Sequence, residues 1–245
     1  MFRDRFPLSW LYHRNSDTMT ERTFDPTDAD LCETKEYDDV PLVRLPSPLK
    51  PAADLAENID RRQSCRQFAR LPLRLPELST ILKQSYGLGR AEVIDGFERC
   101  RRPVPSAGAL YPLEVYVIVN SIDGLESGIC HYGLIDHSLE RLTDTPVRSA
   151  TISRLFLDQE CVADAAAIIV MTAIFERTMR KYGDRGYRYI LLEAGHVAQN
   201  LMLSCGTLGL ASLALGGFLD GPLADLLGID VETEMPVYAV AVGRE

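Results

Sequence analysis

"AAAIIVMTAIFERTMRKYGDRGYRYILLEAGHVAQNLMLSC", residues 165–205, holds the two patterns that decide the fold. Ala165–Phe175 is a continuous apolar run broken only by Thr172. A run of that length and β-branched content reads as a central strand covered on both faces. Tyr187–Cys205 has a different period: Ile190, Ala194, Val197, Leu201 and Ser204 recur at helical spacing, which predicts a helix with one buried side. On this reading His196 is a satisfied core residue of that helix. Working outward, "LEVYVIVNS" (Leu113–Ser121) reads as a strand, as do "ASLALGGFL" and "MPVYAVAVG". Ile129–Tyr132 and Ser138–Leu142 form a hairpin around an Asp–His turn. Upstream, Leu55 and Ile59 share a helical face, and "PELSTILKQSYGLGR" predicts a second helix with Pro76 in its first turn and Gly87 as its stop. Helices and strands do not alternate strictly, so the pattern predicts an α+β fold.

The 245-residue chain has length for one sizeable core, and residues 51–245 are read as that domain. Residues 1–50 are polar, acidic and interrupted by proline, and read as an extended N-terminal arm. The net charge of −9 argues against a nucleic-acid partner. Six scattered cysteines without a CxxC predict neither a zinc site nor a disulfide scaffold, and reduced thiols fit a cytoplasmic protein. Charges sit where a signal peptide needs an apolar core. Ala194–Leu219 carries no formal charge, yet its five glycines and its polar residues argue for a buried helix and strand rather than a membrane span.

Three short stretches can carry chemistry. In "DRRQSCRQF", Arg61, Arg62 and Arg66 with Ser64 supply the forked cations and hydroxyl that grip a phosphate, although a solvated arginine turn has the same composition. In "RRPVPSAGALYP", prolines including Pro105 stiffen a segment whose Ser106, Ala107 and Gly108 leave backbone free to lie against a planar ring, or simply to enter the next strand. Gly216–Gly217 after a buried strand either exposes amide donors to a ligand or makes a tight turn. No metal-ligand spacing, nucleophile elbow or GxGxxG fingerprint is present.

Taken together, "SWLYHRNS", "RRQSCRQF", "PSAGALYPLEVYVIV", "GICHY", "KYGDRGYRYILLEAGHVAQNLMLSCGTLGLAS" and "LGGF" resemble the nitroreductase-like flavoproteins. Within them the match is to the SagB-type (McbC-like) azoline dehydrogenases, from Leu8 to Gly243. The resemblance implies a mostly antiparallel sheet flanked by helices, in a homodimer that holds FMN at its interface. It implies that Arg62, Gln63, Ser64 and Arg66 hold the FMN phosphate and ribityl chain. Pro105, Ser106, Ala107 and Gly108 would line the flavin ring from the partner subunit, and Gly216 and Gly217 would approach its reactive edge. Arg244 is a further phosphate candidate.

The resemblance also implies a reaction, the oxidation of thiazoline or oxazoline rings to thiazoles or oxazoles in a peptide or carrier-bound precursor. A ring proton leaves and a hydride passes to the flavin, with Lys181 and Tyr182 handling the proton. A free lysine titrates near ~10.4. Like charges from Arg177, Arg180, Arg185 and Arg188 would lower that value if they lie close, whereas Glu176 and Asp184 act the other way. A cyclodehydratase is the implied partner. The other readings are an NAD(P)H-fed nitro or quinone reductase and a non-catalytic subunit of a biosynthetic complex.

Overall fold

A computed structural model describes residues 2–16, 33–89, 91–94 and 97–245. Its centre is a seven-stranded sheet. The strands are β1 (Leu42–Arg44), β2 (Leu113–Val119), β3 (Gly128–Gly133), β4 (Ser138–Thr143), β5 (Ala167–Ile174), β6 (Ala211–Leu215) and β7 (Glu234–Gly243). They lie in the order β1-β4-β3-β2-β5-β7-β6, and every neighbouring pair is antiparallel. The expected α+β architecture is therefore present, with β2 and β5 in the middle of the sheet, where their uninterrupted apolar sequences belong.

The period of two sorts these strands onto two cores. Val115, Val117 and Val119 of β2, Ile169 and Met171 of β5, and Val240 and Val242 of β7 face one side. There they meet helices α3 (Leu75–Tyr86) and α6 (Arg185–Thr207) through Leu78, Ile81, Leu82, Ile190, Val197 and Leu201. The alternate residues Tyr116, Ile118, Ile168, Val170, Ala239 and Ala241 face the other side. They meet helices α4 (Ser149–Leu155) and α7 (Asp220–Leu227) through Ile152, Leu155, Leu223 and Leu227.

Two further helices sit on this frame. Helix α2 (Leu55–Arg61) is capped by Asp54, whose carboxylate accepts from Glu57 N–H at 2.9 Å. It docks on α6 through a polar residue, Asn58, whose amide donates to the Leu203 carbonyl at 2.9 Å, while Leu55 and Ile59 stay 64% and 51% exposed. Helix α5 (Glu176–Tyr182) follows β5 directly and is stopped by Gly183.

Several expectations change. The N-terminal segment is not an extended arm throughout: Pro7–Asn15 is helix α1, with proline at its start, and Leu42–Arg44 adds to the sheet edge beside β4. Residues 17–32 of the arm lie outside the described residues. His196 is exposed, not in the core, because Ile190, Ala194, Val197 and Leu201 claim the inward side of α6. Among the described residues no helix is long and apolar enough to cross a membrane, and no group of three or more His, Cys, Asp or Glu is placed to hold a metal.

Candidate functional site

The arginine stretch leaves α2 as extended chain. Cys65 N–H donates to the Ser212 carbonyl on β6 at 3.0 Å, and Ala69 N–H donates to the Arg244 carbonyl at 2.9 Å. This tie to the sheet edge holds a cleft of about 520 Å³ lined by Arg61, Arg62, Gln63, Cys65, Gly209 and Ser212, among others. Two of the cleft's carboxylates are already engaged: Asp54 caps α2, and Glu57 pairs with Arg61 at 3.1 Å. Arg62, Ser64 and Arg66 bond to no other side chain among the described residues. The cleft's volume lies within the range of small-molecule sites, roughly 300–1,000 Å³. Of that segment Arg62 and Gln63 line the cleft, where an unengaged guanidinium beside an amide suits a phosphate with a polyhydroxyl tail such as that of FMN, whereas Ser64 and Arg66 are exposed and do not line it.

Arg244 does not join them. Its Nη2 donates to both oxygens of Glu77, at 3.0 and 2.8 Å, and its Nε donates to the Pro72 carbonyl at 3.1 Å. Glu77 is 1% exposed and also accepts from Arg74. Burial pushes its carboxyl up, but these hydrogen bonds outweigh that and hold it below the ordinary carboxylate value. A guanidinium chelated by a buried carboxylate fastens the C-terminus to α3 and is not available to a phosphate.

The second cluster forms elsewhere. Residues 105–111 fold into a tight loop in which Ser106 Oγ accepts from Tyr111 N–H at 2.9 Å. Gly108 has φ +63°, and Ala109 and Tyr111 also have positive φ, at 57° and 45°. Such backbone is strained for residues with a Cβ and persists only where the surroundings enforce it. Gly108 is also close-packed: a Cβ there would lie 2.8 Å from Lys181 Nζ and 2.8 Å from Tyr182 Oη. The loop and the Lys–Tyr pair, separated by more than seventy residues of sequence, therefore touch within one chain. Tyr182 packs edge-on to Tyr189 at 5.2 Å. Burial, then the Tyr189 hydroxyl, raises the Tyr182 phenol above its ordinary value, so it stays a proton donor at neutral pH.

None of Ser106, Ala107, Gly108, Lys181, Tyr182, Gly216 or Gly217 lines the arginine cleft. Pro105 and Gly216 are exposed, and Gly217 packs so closely on Leu157 that a Cβ would meet its Cδ1 at 2.8 Å.

The arginines around Lys181 have other duties. Arg177, 4% exposed, donates to Glu114 on β2 at 2.6 Å, and Arg180 pairs with Glu33 at 3.0 Å. Arg185 donates to the Ser16 carbonyl, while Arg188 donates to His13 and lies over the Tyr12 ring. These contacts hold α5 and α1 in place. Glu114 also accepts from His131 Nε2 at 3.0 Å and from Lys35 N–H at 3.2 Å. Lys35 in turn reaches Glu234 at 2.7 Å, so a strap of residues 33–37 crosses the sheet beside α5.

Sequence reasoning missed one group beside the loop. Glu193 is 2% exposed and accepts from Tyr86 O–H at 3.0 Å. Burial pushes its carboxyl up to about 7, against the opposing pull of Ser106, Tyr86 and Arg102. The signal was present in the helical spacing, since position 193 falls beside Ile190 and Val197 on the inward stripe.

With this geometry in place, similarity to known proteins can be set beside it. The profile of the nitroreductase family matches residues 59–244. The chain is 40% identical over 191 residues to MJ1384 of Methanocaldococcus jannaschii, a protein named as a nitroreductase, covering 78% of this chain and 91% of that one. It is 32% identical over 147 residues to the microcin B17-processing protein McbC of Escherichia coli, covering 58% of this chain but only 54% of McbC. Among solved structures, a nitroreductase from Anabaena variabilis superposes with a TM-score of 0.77 at 27% identity, over 96% of this chain and 45% of that one. The E. coli microcin synthetase McbBCD complex with truncated pro-MccB17 bound shares the fold, with a TM-score of 0.62 at 24% identity, over 100% of this chain and 86% of that one.

Proposed function

The chain belongs to the nitroreductase family, and from that membership we propose that it is an FMN-dependent dehydrogenase of thiazoline or oxazoline rings in a peptide or carrier-bound precursor. The observation that carries the proposal is the contact of Gly108 with Lys181 Nζ and Tyr182 Oη. It puts an amine and a phenol against the glycine of that loop. The named role of McbC in microcin processing supports the same direction.

Arg62, Gln63, Ser64 and Arg66 hold the phosphate and ribityl chain. Ser106, Ala107 and Gly108, with Pro105 stiffening their approach, lie along the ring, and Gly216 and Gly217 reach its edge. The Gly108 loop does not line the arginine cleft, and on this reading the complete site takes one from each subunit of a homodimer. Leu191 and Leu192 on α6, 42% and 55% exposed, with Leu55 and Ile59 on α2, supply apolar surface for that interface. Bound there, FMN would supply the acceptor for the hydride leaving the azoline ring, with dioxygen as the final oxidant. Lys181 Nζ takes the other hydrogen as a proton, and Tyr182, which keeps its own proton, hydrogen-bonds the heterocycle or passes the proton on. The protein works in the cytoplasm beside a cyclodehydratase that makes the ring.

Purified protein should be yellow and release FMN on heating. Lys181→Ala should retain FMN and lose azole formation on a synthetic thiazoline peptide. A colourless protein, or unchanged turnover in the variant, would overturn the proposal. The second reading is an NAD(P)H-fed nitro or quinone reductase, favoured by the 40% identity to MJ1384. Rapid bleaching of the flavin by NADPH without azoline would select it.

A further inference from the structure

Helix α5 carries Lys181 and Tyr182 in its last turn, yet little in α5 itself fixes how it is turned. It is seven residues long, and no side chain caps its N-terminus. A helix under roughly 12 residues is marginal by itself, so tertiary contacts must hold it. Its buried residues are Arg177 and Thr178, one charged and one polar, and Met179 adds a partly buried apolar contact. Arg177, Arg180 and Lys181 fall on one side of the helix, because positions three and four apart are neighbours. Whatever grips the two arginines therefore sets the rotation of α5, and with it the place of Lys181 Nζ against Gly108.

Two carboxylates grip them. On β2, Glu114 Oε1 accepts from Arg177 Nη1 at 2.6 Å, and the same oxygen accepts from Lys35 N–H at 3.2 Å. From the strap, Glu33 spans both arginines: one oxygen pairs with Arg180 Nη2 at 3.0 Å, and the other lies 3.6 Å from Arg177 Nε. That Nε makes no hydrogen bond among the described residues. The strap is itself fastened to the sheet. Lys35 Nζ donates to Glu234 at 2.7 Å and to the Tyr116 hydroxyl at 2.8 Å, and the Tyr37 and Tyr116 hydroxyls share a hydrogen bond at 2.9 Å. Glu234 is buried, which makes Lys35 a firm anchor.

We propose that Glu33 is a positioning residue: through Arg180 and Arg177 it fixes the rotation of α5 and so keeps Lys181 Nζ against Gly108. Glu114 contributes to the same hold but also accepts from buried His131, so its loss disturbs the sheet as well. Glu33 has no such second duty in the core, and its side chain is 43% exposed. Its grip on α5 can therefore be removed while the fold stays intact.

The inference rests on the reading of Lys181 as the base, but one readout needs no turnover. In full-length protein freed of any bound flavin, Lys181 is acetylated in competition with exposed Lys50 as the internal standard. Glu33→Gln keeps the size of the side chain and removes its charge. Lys181, half-buried in the wild type, should then label several-fold faster relative to Lys50, while the urea midpoint hardly moves because an exposed ion pair contributes little to stability. Arg180→Gln should speed the labelling too. The two changes alter the local charge with opposite sign, so a common rise reports position, whereas shifts in opposite directions report charge alone and would overturn the inference. Glu36→Gln makes the same charge change on an exposed neighbour in the strap and should match the wild type. In flavin-loaded protein Glu33→Gln should lose about 10-fold in kcat on a thiazoline peptide with KM unchanged, a fraction of what a displacement of about 1 Å costs. The double variant Glu33→Gln, Arg180→Gln should be no worse than either single one, because the pair acts as a unit. A Glu33→Gln labelling ratio equal to that of the wild type, fully additive losses in the double variant, or an unchanged kcat where Lys181→Ala is inactive would each overturn the inference. If instead Lys181→Ala turns over normally while the ratio still rises in both single variants, the base assignment fails and the hold of the strap on α5 stands.

Discussion

Replacing Gly108 by alanine tests the site through a single methyl group. Two costs can be separated. The backbone cost comes from φ +63°, where an L-residue is disfavoured by about 1–2 kcal/mol. The contact cost comes from the Cβ, which would meet Lys181 Nζ and Tyr182 Oη at 2.8 Å and Lys181 Cε at 3.3 Å. The first two atoms are ends of flexible side chains, so they can yield at about 0.5–1.5 kcal/mol of rotamer strain. Stability should thus fall by about 1.5–3.5 kcal/mol in all. Activity should suffer more, because displacing a reacting group by about 1 Å costs on the order of 100-fold. Gly124→Ala is the control: its φ is +77°, but nothing lies within 4 Å of the added Cβ, so it bears the backbone cost alone. Urea unfolding of both variants, FMN content, and azole formation on a thiazoline peptide give the three measurements. Gly108→Ala should keep FMN and lose about 10- to 100-fold in turnover, while Gly124→Ala keeps wild-type turnover. If the two variants turn over equally, the reacting amine is not at Gly108 and the site is misplaced.

Other variants divide the arginines by duty. Arg62→Ala should weaken FMN binding by about 10-fold or more, the worth of one charged hydrogen bond, without changing the unfolding midpoint of flavin-free protein. Arg244→Ala should do the reverse, lowering stability because Glu77 loses two bonds at 3.0 and 2.8 Å while fluorescence titration shows unchanged FMN affinity. Glu114→Gln should cost about 3–5 kcal/mol in urea unfolding, since Arg177 and His131 both lose a buried carboxylate. Burial depresses the His131 imidazole, but hydrogen bonds to Glu114 and Glu140 outweigh it and raise the value overall. Its stabilising contribution is therefore complete below its unfolded value of about 6.5 and lost as pH climbs through the folded value, and that pH dependence should shrink in Glu114→Gln. Leu192→Asp should turn the proposed dimer into a monomer by light scattering, and an unchanged mass would place the interface elsewhere.

Local periodicity determined much of this protein. The continuous run at Ala165–Phe175, the β-branched and aromatic content of Leu113–Val119 and the helical stripe from Ile190 to Ser204 were legible because they depend on the local chain alone. The same holds for the α+β class. Tertiary structure decided which groups meet. Nothing local predicts that Gly108 abuts Lys181, that Glu77 takes Arg244 away from the phosphate set, or that Glu33 and Glu114 engage the arginines grouped around the lysine. A charge on a short stretch has no assigned partner until chain reversals bring another segment within a few ångströms, and at that range burial and hydrogen bonding, rather than sequence neighbours, set what it does.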